Sequence, residues 1–357
     1  MLLSGAGVGL LWGDRAWVSK SDPEEVRLAA VMAEVVLSSR ADGTWTTYLP
    51  LWQKFVQWCA ARTPPRTPLP ADGPTVALYL ISVAQTANTY SVVKAASGAI
   101  CSFHDVALAG VAPTEHPMVA LVRRSVQRRL GVALVNQKEP LDFEVIRGAA
   151  SWVWTLEQGH NRWALALTLV LVGFCGFLRY SDLAQLYADE IHFYEDRAEL
   201  FLETRKNDQL REGNVVVLAR GESSACPVAA LEWLLRSVPS LQAGGHVRLF
   251  QRFDGRVTRF HPERILSTMR GEEMSYDQMR SLMFALLTKC TGVPEEDLKR
   301  RYGTQSLRSG GATLVAAEGV SDSVFQRHGG WRTPQMKDHY VQDTMGAKLE
   351  VTRAMRY

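Results

Sequence analysis

Near its C-terminal end the chain reads TQSLRSGGATL (residues 304–314), and thirty-two positions after Arg308 comes KDHYVQD with Tyr340 at its centre. An arginine in a helix-start context, followed by a lone tyrosine on a basic background, suggests phosphate handling. Three positions before that arginine, where an acid–base side chain is expected in such a site, stands Gln305. Whether this is a working site with one unusual residue or a retired one depends on the rest of the chain.

The 357 residues exceed one domain of ordinary size, and two domains are expected. With 46% hydrophobic and 22% charged residues, both can bury a core. A formal net charge of +3 is only mildly basic, so local patches matter more than the total for any polyanionic partner. Five scattered cysteines (Cys59, Cys101, Cys175, Cys226, Cys290) include no CxxC pair, and read as buried thiols of a reducing compartment, not a disulfide framework or zinc site. The apolar start MLLSGAGVGLLWG lacks a basic n-region and runs into Asp14 and Arg15, which argues against a signal peptide. The run WALALTLVLVGFCGFL (163–178) is short for a membrane span and ends at Arg179, so a buried core helix is expected. The expectation is a soluble, intracellular protein without a membrane partner.

Residues 1–22 read as a leader. Helices follow from Ser21 or Asp22, with Pro23 in the first turn, and along ADGTWTTYLPLWQKFVQWCAAR, where Trp45, Tyr48, Trp52, Phe55 and Cys59 recur at helical spacing. Beyond the proline-rich TPPRTPLPADG, helices are expected at 74–88, 90–109 and 117–131, the last carrying RRSVQRR (123–129). Residues 23–135 thus read as a small all-helical domain and 136–357 as a mixed one. In the second, helices at 142–156 and 161–177 precede AELFLET and NVVVLA, two strand-like runs flanking a polar turn with Lys206, Asn207, Asp208 and Gly213, the signature of a hairpin. The remainder reads as helical apart from the loop GGHVRLFQRFDGRVTRF.

Five elements stand in order: GFLRYSDLAQL with Arg179, TRKNDQLREG with Lys206, TQSLRSGGATL with Arg308, RHGGW ending at Trp331, and HYVQD with Tyr340. Each alone has a bland reading. An arginine after an apolar helix is usually a snorkelling or capping group, and a lysine in a hairpin turn is usually solvated. In this order and spacing they resemble the tyrosine recombinase (phage integrase) family over roughly residues 140–350.

The resemblance implies a mainly α fold with a small β-sheet: a helical core-binding (SAM-like) DNA-binding domain followed by an α+β catalytic domain. It implies a metal-free and cofactor-free reaction. Arg179 and Arg308 clamp the non-bridging phosphate oxygens. Tyr340 attacks phosphorus to give a 3′-phosphotyrosyl link. Lys206 protonates the 5′-oxygen, and Trp331 donates its indole N–H to phosphate. The family usually has histidine where this chain has Gln305, whose amide donates a hydrogen bond but passes on no proton at neutral pH. His328 and His339 are nearby, with surface or packing roles the simpler reading.

The expected partner is double-stranded DNA, gripped by Lys94, Arg123, Arg124, Arg128 and Arg129, with the KRRY cluster (299–302) a further backbone contact or a solvated face. Thr89, Tyr90, Ser91 and Lys94 open a helix in the position of the family's groove-contacting helix. By resemblance the tail after Tyr340 docks on a neighbouring subunit, giving a homotetramer on two DNA sites, a dimer per site. Three activities remain open: a site-specific recombinase of a mobile element, a catalytically impaired DNA-binding relative, and an enzyme that breaks and rejoins DNA without exchanging partners. The compartment, bacterial cytoplasm or eukaryotic nucleus, is equally open.

Overall fold

The computed structural model describes residues 22–107, 110–131, 137–156, 160–203, 205 and 213–341, together with 349 and 353. The leader and most of the tail beyond Tyr340 lie outside the described residues. The chain forms two compact units, residues 1–136 and 137–357.

The first unit is helical: α1 (Pro23–Leu37), α2 (Asp42–Ala60), α3 (Gly73–Thr86), α4 (Tyr90–Val106) and α5 (Pro117–Leu130). The local chemistry explains the boundaries. The Asp22 carboxylate accepts from the backbone N–H of Glu24 and Glu25, and Asp72 does the same for Thr75, which satisfies donors that a helix start leaves open. The helical spacing of aromatics read in α2 becomes a core, with Trp52 stacked on Phe103 of α4 at 4.7 Å between ring centroids. His104 is buried here. It accepts from Ala71 N–H through Nε2 at 2.9 Å, and its Nδ1 meets the Ile100 carbonyl at 2.8 Å.

The second unit is built around α7 (His160–Cys175), whose residues Ala164–Phe174 are all buried. The apolar run is thus a core helix, and among the described residues no helix is long and apolar enough to cross a membrane. Around it pack α6 (Phe143–Val153), α9 (Pro227–Ser237), α10 (Tyr276–Thr291) and α12 (Gln305–Ala317). The short α8 (Tyr180–Ala184) follows α7 directly, and α11 (Glu295–Arg301), α13 (Asp322–His328) and α14 (Pro334–Asp338) complete the helices used below.

The sheet has three antiparallel strands in the order β1 (Ile191–Phe193), β2 (Arg197–Leu202) and β3 (Asn214–Ala219). The two strands expected from AELFLET and NVVVLA pair in register, Leu200 opposite Val216, both buried. β1 falls in a stretch, IHFYEDRAELFLET, that has strand character in the sequence, without being singled out as a strand there. It is three residues long, too short for a periodic signal, and exists through its pairing with β2, Ile191 opposite Leu200. Alternation is clean in β3, where Val216 and Leu218 face the core and Val215 and Val217 face outward.

The two glycines of SLRSGG set how α12 meets α7. A Cβ on Gly310 would lie 2.3 Å from the Leu141 carbonyl oxygen, and one on Gly311 would lie 2.3 Å from the Phe174 carbonyl oxygen. Gly173 of α7 answers from the other side, leaving room for the Leu307 side chain. The opening stretch is therefore a close-packing motif as well as a chemical one. It places Arg308 against the C-terminal end of α7.

Candidate active site

Arg308 projects from the first turn of α12 and is fully buried. Its Nη1 donates to the Phe177 carbonyl and its Nη2 to the Gly329 carbonyl at 2.7 Å. Phe177 has φ 49°, a left-handed conformation uncommon for a bulky residue. It turns the chain between α7 and Arg179. The guanidinium carbon lies 4.4 Å from the Trp331 ring centroid and 4.7 Å from that of Tyr340. Burial, with Arg179 and Arg205 nearby, pushes the Arg308 pKa down to about 9, so it remains charged at neutral pH.

Arg179 caps α8 and is 8% exposed. Its guanidinium carbon is 6.0 Å from the Tyr340 ring centroid. Asp182, one turn on, accepts from the Arg179 backbone N–H at 3.0 Å and lies 4.0 Å from Arg179 Nη1. In the fold it is a buried counter-ion as well, 3.6 Å from Arg205 Nη2.

Trp331 is buried, 5.5 Å from the Tyr340 ring between centroids, and its indole N–H has no hydrogen-bond partner. The two glycines before it are required by shape. A Cβ on Gly329 would overlap the Trp331 ring, and Gly330 has φ 62°. Tyr340 is half-buried in the turn after α14, which is anchored by Lys337, a buried ammonium bonded to Asp322 at 2.6 Å. Arg179, Arg308, Trp331 and Tyr340, spread over 161 positions of sequence, thus come together. Gln305 is the first residue of α12 and exposed. Lys206 lies outside the described residues.

The histidines follow their simpler readings. His328 bonds the Cys175 carbonyl through Nε2 at 2.8 Å and packs edge-on against Phe177. Burial depresses its pKa, and the nearby Arg205 and Arg308 charges add to this. His339 is exposed, its backbone carbonyl accepting from Gln137 Nε2. Neither is placed as a proton relay by any contact of its ring to Tyr340 beyond the adjacent edge-on packing of His339. The residue that sequence reading missed is Arg205, masked by its position beside the expected Lys206.

On the helical unit, Lys94 and Arg123 line one cleft of about 440 Å³ together with Tyr48 and Ser91. Arg123 Nε reaches the Tyr90 hydroxyl at 3.4 Å. Arg124 and Arg128 are exposed one turn apart on α5, and Arg129 donates to the Ala84 carbonyl. The KRRY cations are paired locally: Lys299 with Glu295 and Glu296, Arg300 with Asp297, Arg301 with Glu139. That favours the solvated-face reading for this cluster.

A mainly helical architecture carrying a small three-stranded antiparallel sheet is the fold of the tyrosine recombinases, and the chain has that fold. No protein-family model matches it. It is 23% identical over 309 residues to an integrase/recombinase xerD homolog of Selenomonas ruminantium, a match covering 85% of this chain and 82% of that protein. Among solved structures, the XerH site-specific recombinase bound to a palindromic difH substrate aligns with a TM-score of 0.57 at 14% identity, over 95% of this chain and 85% of that one. A lambda integrase dimer bound to a core site aligns with a TM-score of 0.51 at 15% identity, over 88% and 94%. The family resemblance read from the sequence holds.

Proposed function

We propose that this chain is a site-specific DNA recombinase of a mobile element that cleaves and rejoins strands through a 3′-phosphotyrosyl intermediate. The observation that carries the proposal is the Arg308 guanidinium packed against both Trp331 and Tyr340, with Arg308 Nε and Trp331 Nε1 buried and without partners. Buried donors of this kind await an acceptor, and phosphate oxygens are the acceptors that a cationic pocket selects.

In this reading Arg179 and Arg308 hold the non-bridging oxygens of the scissile phosphate, and their charge offsets the additional negative charge of the pentavalent transition state. The Tyr340 oxygen gives up its phenolic proton to solvent and forms a bond to phosphorus as the bond from phosphorus to the 5′-oxygen breaks. The leaving oxygen takes a proton from Lys206. A 5′-hydroxyl then attacks the phosphotyrosine, restores the phosphodiester and frees the tyrosine. Gln305 contributes a hydrogen bond to phosphate and no proton. The helical unit grips backbone phosphates through Lys94, Arg123, Arg124, Arg128 and Arg129, and the working assembly is a homotetramer on two duplex sites.

The test is incubation with nicked suicide substrates carrying candidate element ends, read as a covalent protein–DNA adduct on a denaturing gel. An adduct from the natural protein that vanishes in Tyr340→Phe supports the enzyme. An adduct only from Gln305→His identifies a catalytically impaired DNA-binding relative. Relaxation of supercoiled DNA with no site requirement points instead to an enzyme that rejoins without exchanging partners.

A further inference from the structure

We infer that Arg205 is a third guanidinium ligand of the oxyanion held at this site, contacting phosphate directly beside Arg179 and Arg308. The inference rests on the recombinase reading for the identity of the substrate, but not for the presence of an anion site.

Arg205 follows β2, and its side chain is 3% exposed. One of its nitrogens is engaged: Nη1 donates to Asn214 Oδ1 at 2.9 Å, which fixes the plane of the fork. Nε and Nη2 are buried without a hydrogen-bond partner. Asp182, 3.6 Å from Nη2, is too far for a hydrogen bond and lies 4.0 Å from Arg179 as well. Gly330 makes the room, since a Cβ there would sit 2.5 Å from Arg205 Nη1. The same side chain lines a cleft of about 570 Å³ with His328, Gly330, Trp331 and Arg332.

Two features turn this placement into a site. Four orphaned donor nitrogens from three side chains, Arg205 Nε and Nη2, Arg308 Nε and Trp331 Nε1, belong to one neighbourhood, and buried donors are rarely left so. The charges are equally incomplete. Arg205 and Arg308, each held below the usual guanidinium range by burial with neighbouring guanidinium charge adding to it, and Arg179 beside them face the single carboxylate of Asp182 among the described residues. A tetrahedral oxyanion supplies both the acceptors and the missing negative charge. A lysine at 205 would bring a charge but not the two remaining edges of a planar fork.

The experiment has two arms. In the first, DNA-free protein is titrated with orthovanadate and its melting temperature followed. The natural protein and Arg300→Gln, altered at an exposed arginine of α11 outside this cleft, are expected to be stabilised alike. Arg205→Gln and Arg205→Lys are expected to bind at least about 10-fold more weakly. In the second arm, adduct formation is measured on suicide DNA with a scissile phosphodiester or a neutral methylphosphonate. Removing a direct charge-bearing ligand is expected to cost about 100-fold or more on the phosphodiester, and under about 10-fold on the methylphosphonate, where there is less charge to offset. A merely structural arginine would lose equally on both. Unchanged vanadate affinity in the Arg205 variants overturns the inference, as does equal loss on the two DNAs, and a Tyr340-dependent adduct from the natural protein leaves the recombinase reading standing. No adduct from the natural protein removes that reading alone, because the vanadate arm still decides Arg205.

Discussion

Arg308 holds the Gly329 carbonyl through Nη2 at 2.7 Å, so the arginine of one motif fixes the backbone of the next. Through this bond and the Phe177 carbonyl, Arg308 is at once a phosphate candidate and the tie that seats Trp331 and Tyr340. Lysine keeps the charge but offers a single nitrogen in place of the two, Nη1 and Nη2, that reach the separate carbonyls of Phe177 and Gly329. Arg308→Lys is therefore expected to lower adduct formation at least about 100-fold. It should also destabilise the protein by about 1–3 kcal/mol through an orphaned buried carbonyl. Melting and suicide-substrate assays on the same preparation check both, and full thermal stability in the variant would contradict the anchoring role.

Gln305 opens α12 on the exposed side, one turn before Arg308. If it serves as a hydrogen-bond donor to phosphate, Gln305→Ala lowers cleavage and Gln305→His retains or raises it. A general acid–base group is worth roughly 100- to 10,000-fold where it is used. A His variant that gains that much would show the natural enzyme to be working without one. Equal rates in all three forms would remove the position from the site.

Two histidines, His104 buried and His328 half-buried, predict acid sensitivity. Burial depresses the pKa of both His104 and His328 from the ordinary 6.5. Below that value the unfolded chain binds protons that the native protein refuses, so stability is lost as pH falls from about 7 through 6.5 toward the depressed values. Melting temperature should drop between pH 7.5 and 5.5. His328→Gln should flatten part of that drop, and a melting temperature constant across the window would count against the prediction.

Gly311 and Gly148 make an internal contrast. A Cβ on Gly311 meets the Phe174 carbonyl oxygen at 2.3 Å, whereas one on Gly148, in the middle of α6, meets nothing within 4 Å. Overpacking costs about 1–3 kcal/mol or more, so Gly311→Ala should melt several degrees lower. Gly148→Ala should melt higher, because alanine in a helix gains about 0.5–1 kcal/mol over glycine. Differential scanning calorimetry on the two variants suffices.

Arg124 and Arg128 are exposed on one face of α5, and the KRRY cations are engaged in local ion pairs. If the first pair contacts DNA backbone, each alanine substitution lowers the slope of log K against log salt by about 0.9. Lys299→Ala should leave the slope alone. Fluorescence anisotropy over a salt series separates the two clusters, and equal slopes for the natural protein and Arg124→Ala would exclude that contact.

Much of the molecule was legible in advance because it is periodic. The aromatic spacing along α2, the apolar run of α7 and the alternation of β2 and β3 each state which face is buried. The order of Arg179, Arg308, Trp331 and Tyr340 was readable because each stands in a short pattern of glycines and apolar residues. β1 escaped because three residues carry no period, and it becomes a strand only beside β2. Arg205 escaped because an arginine in a polar turn has no pattern to betray burial.

What the sequence by itself determined was most helices up to the hairpin, the hairpin strands and the chemical types placed in order along the chain, whereas GRVTRF, read as loop, forms a helix over Gly255–Phe260. Only the tertiary structure decided which of those groups are left without partners. Arg205 next to Gly330, Asp182 shared between two arginines, and Arg308 closing on the Phe177 carbonyl are contacts between segments 21 to 131 positions apart, or at the seams between them. Local propensity is silent on such pairs, because burial and hydrogen-bond satisfaction are properties of the packed chain and not of any window within it.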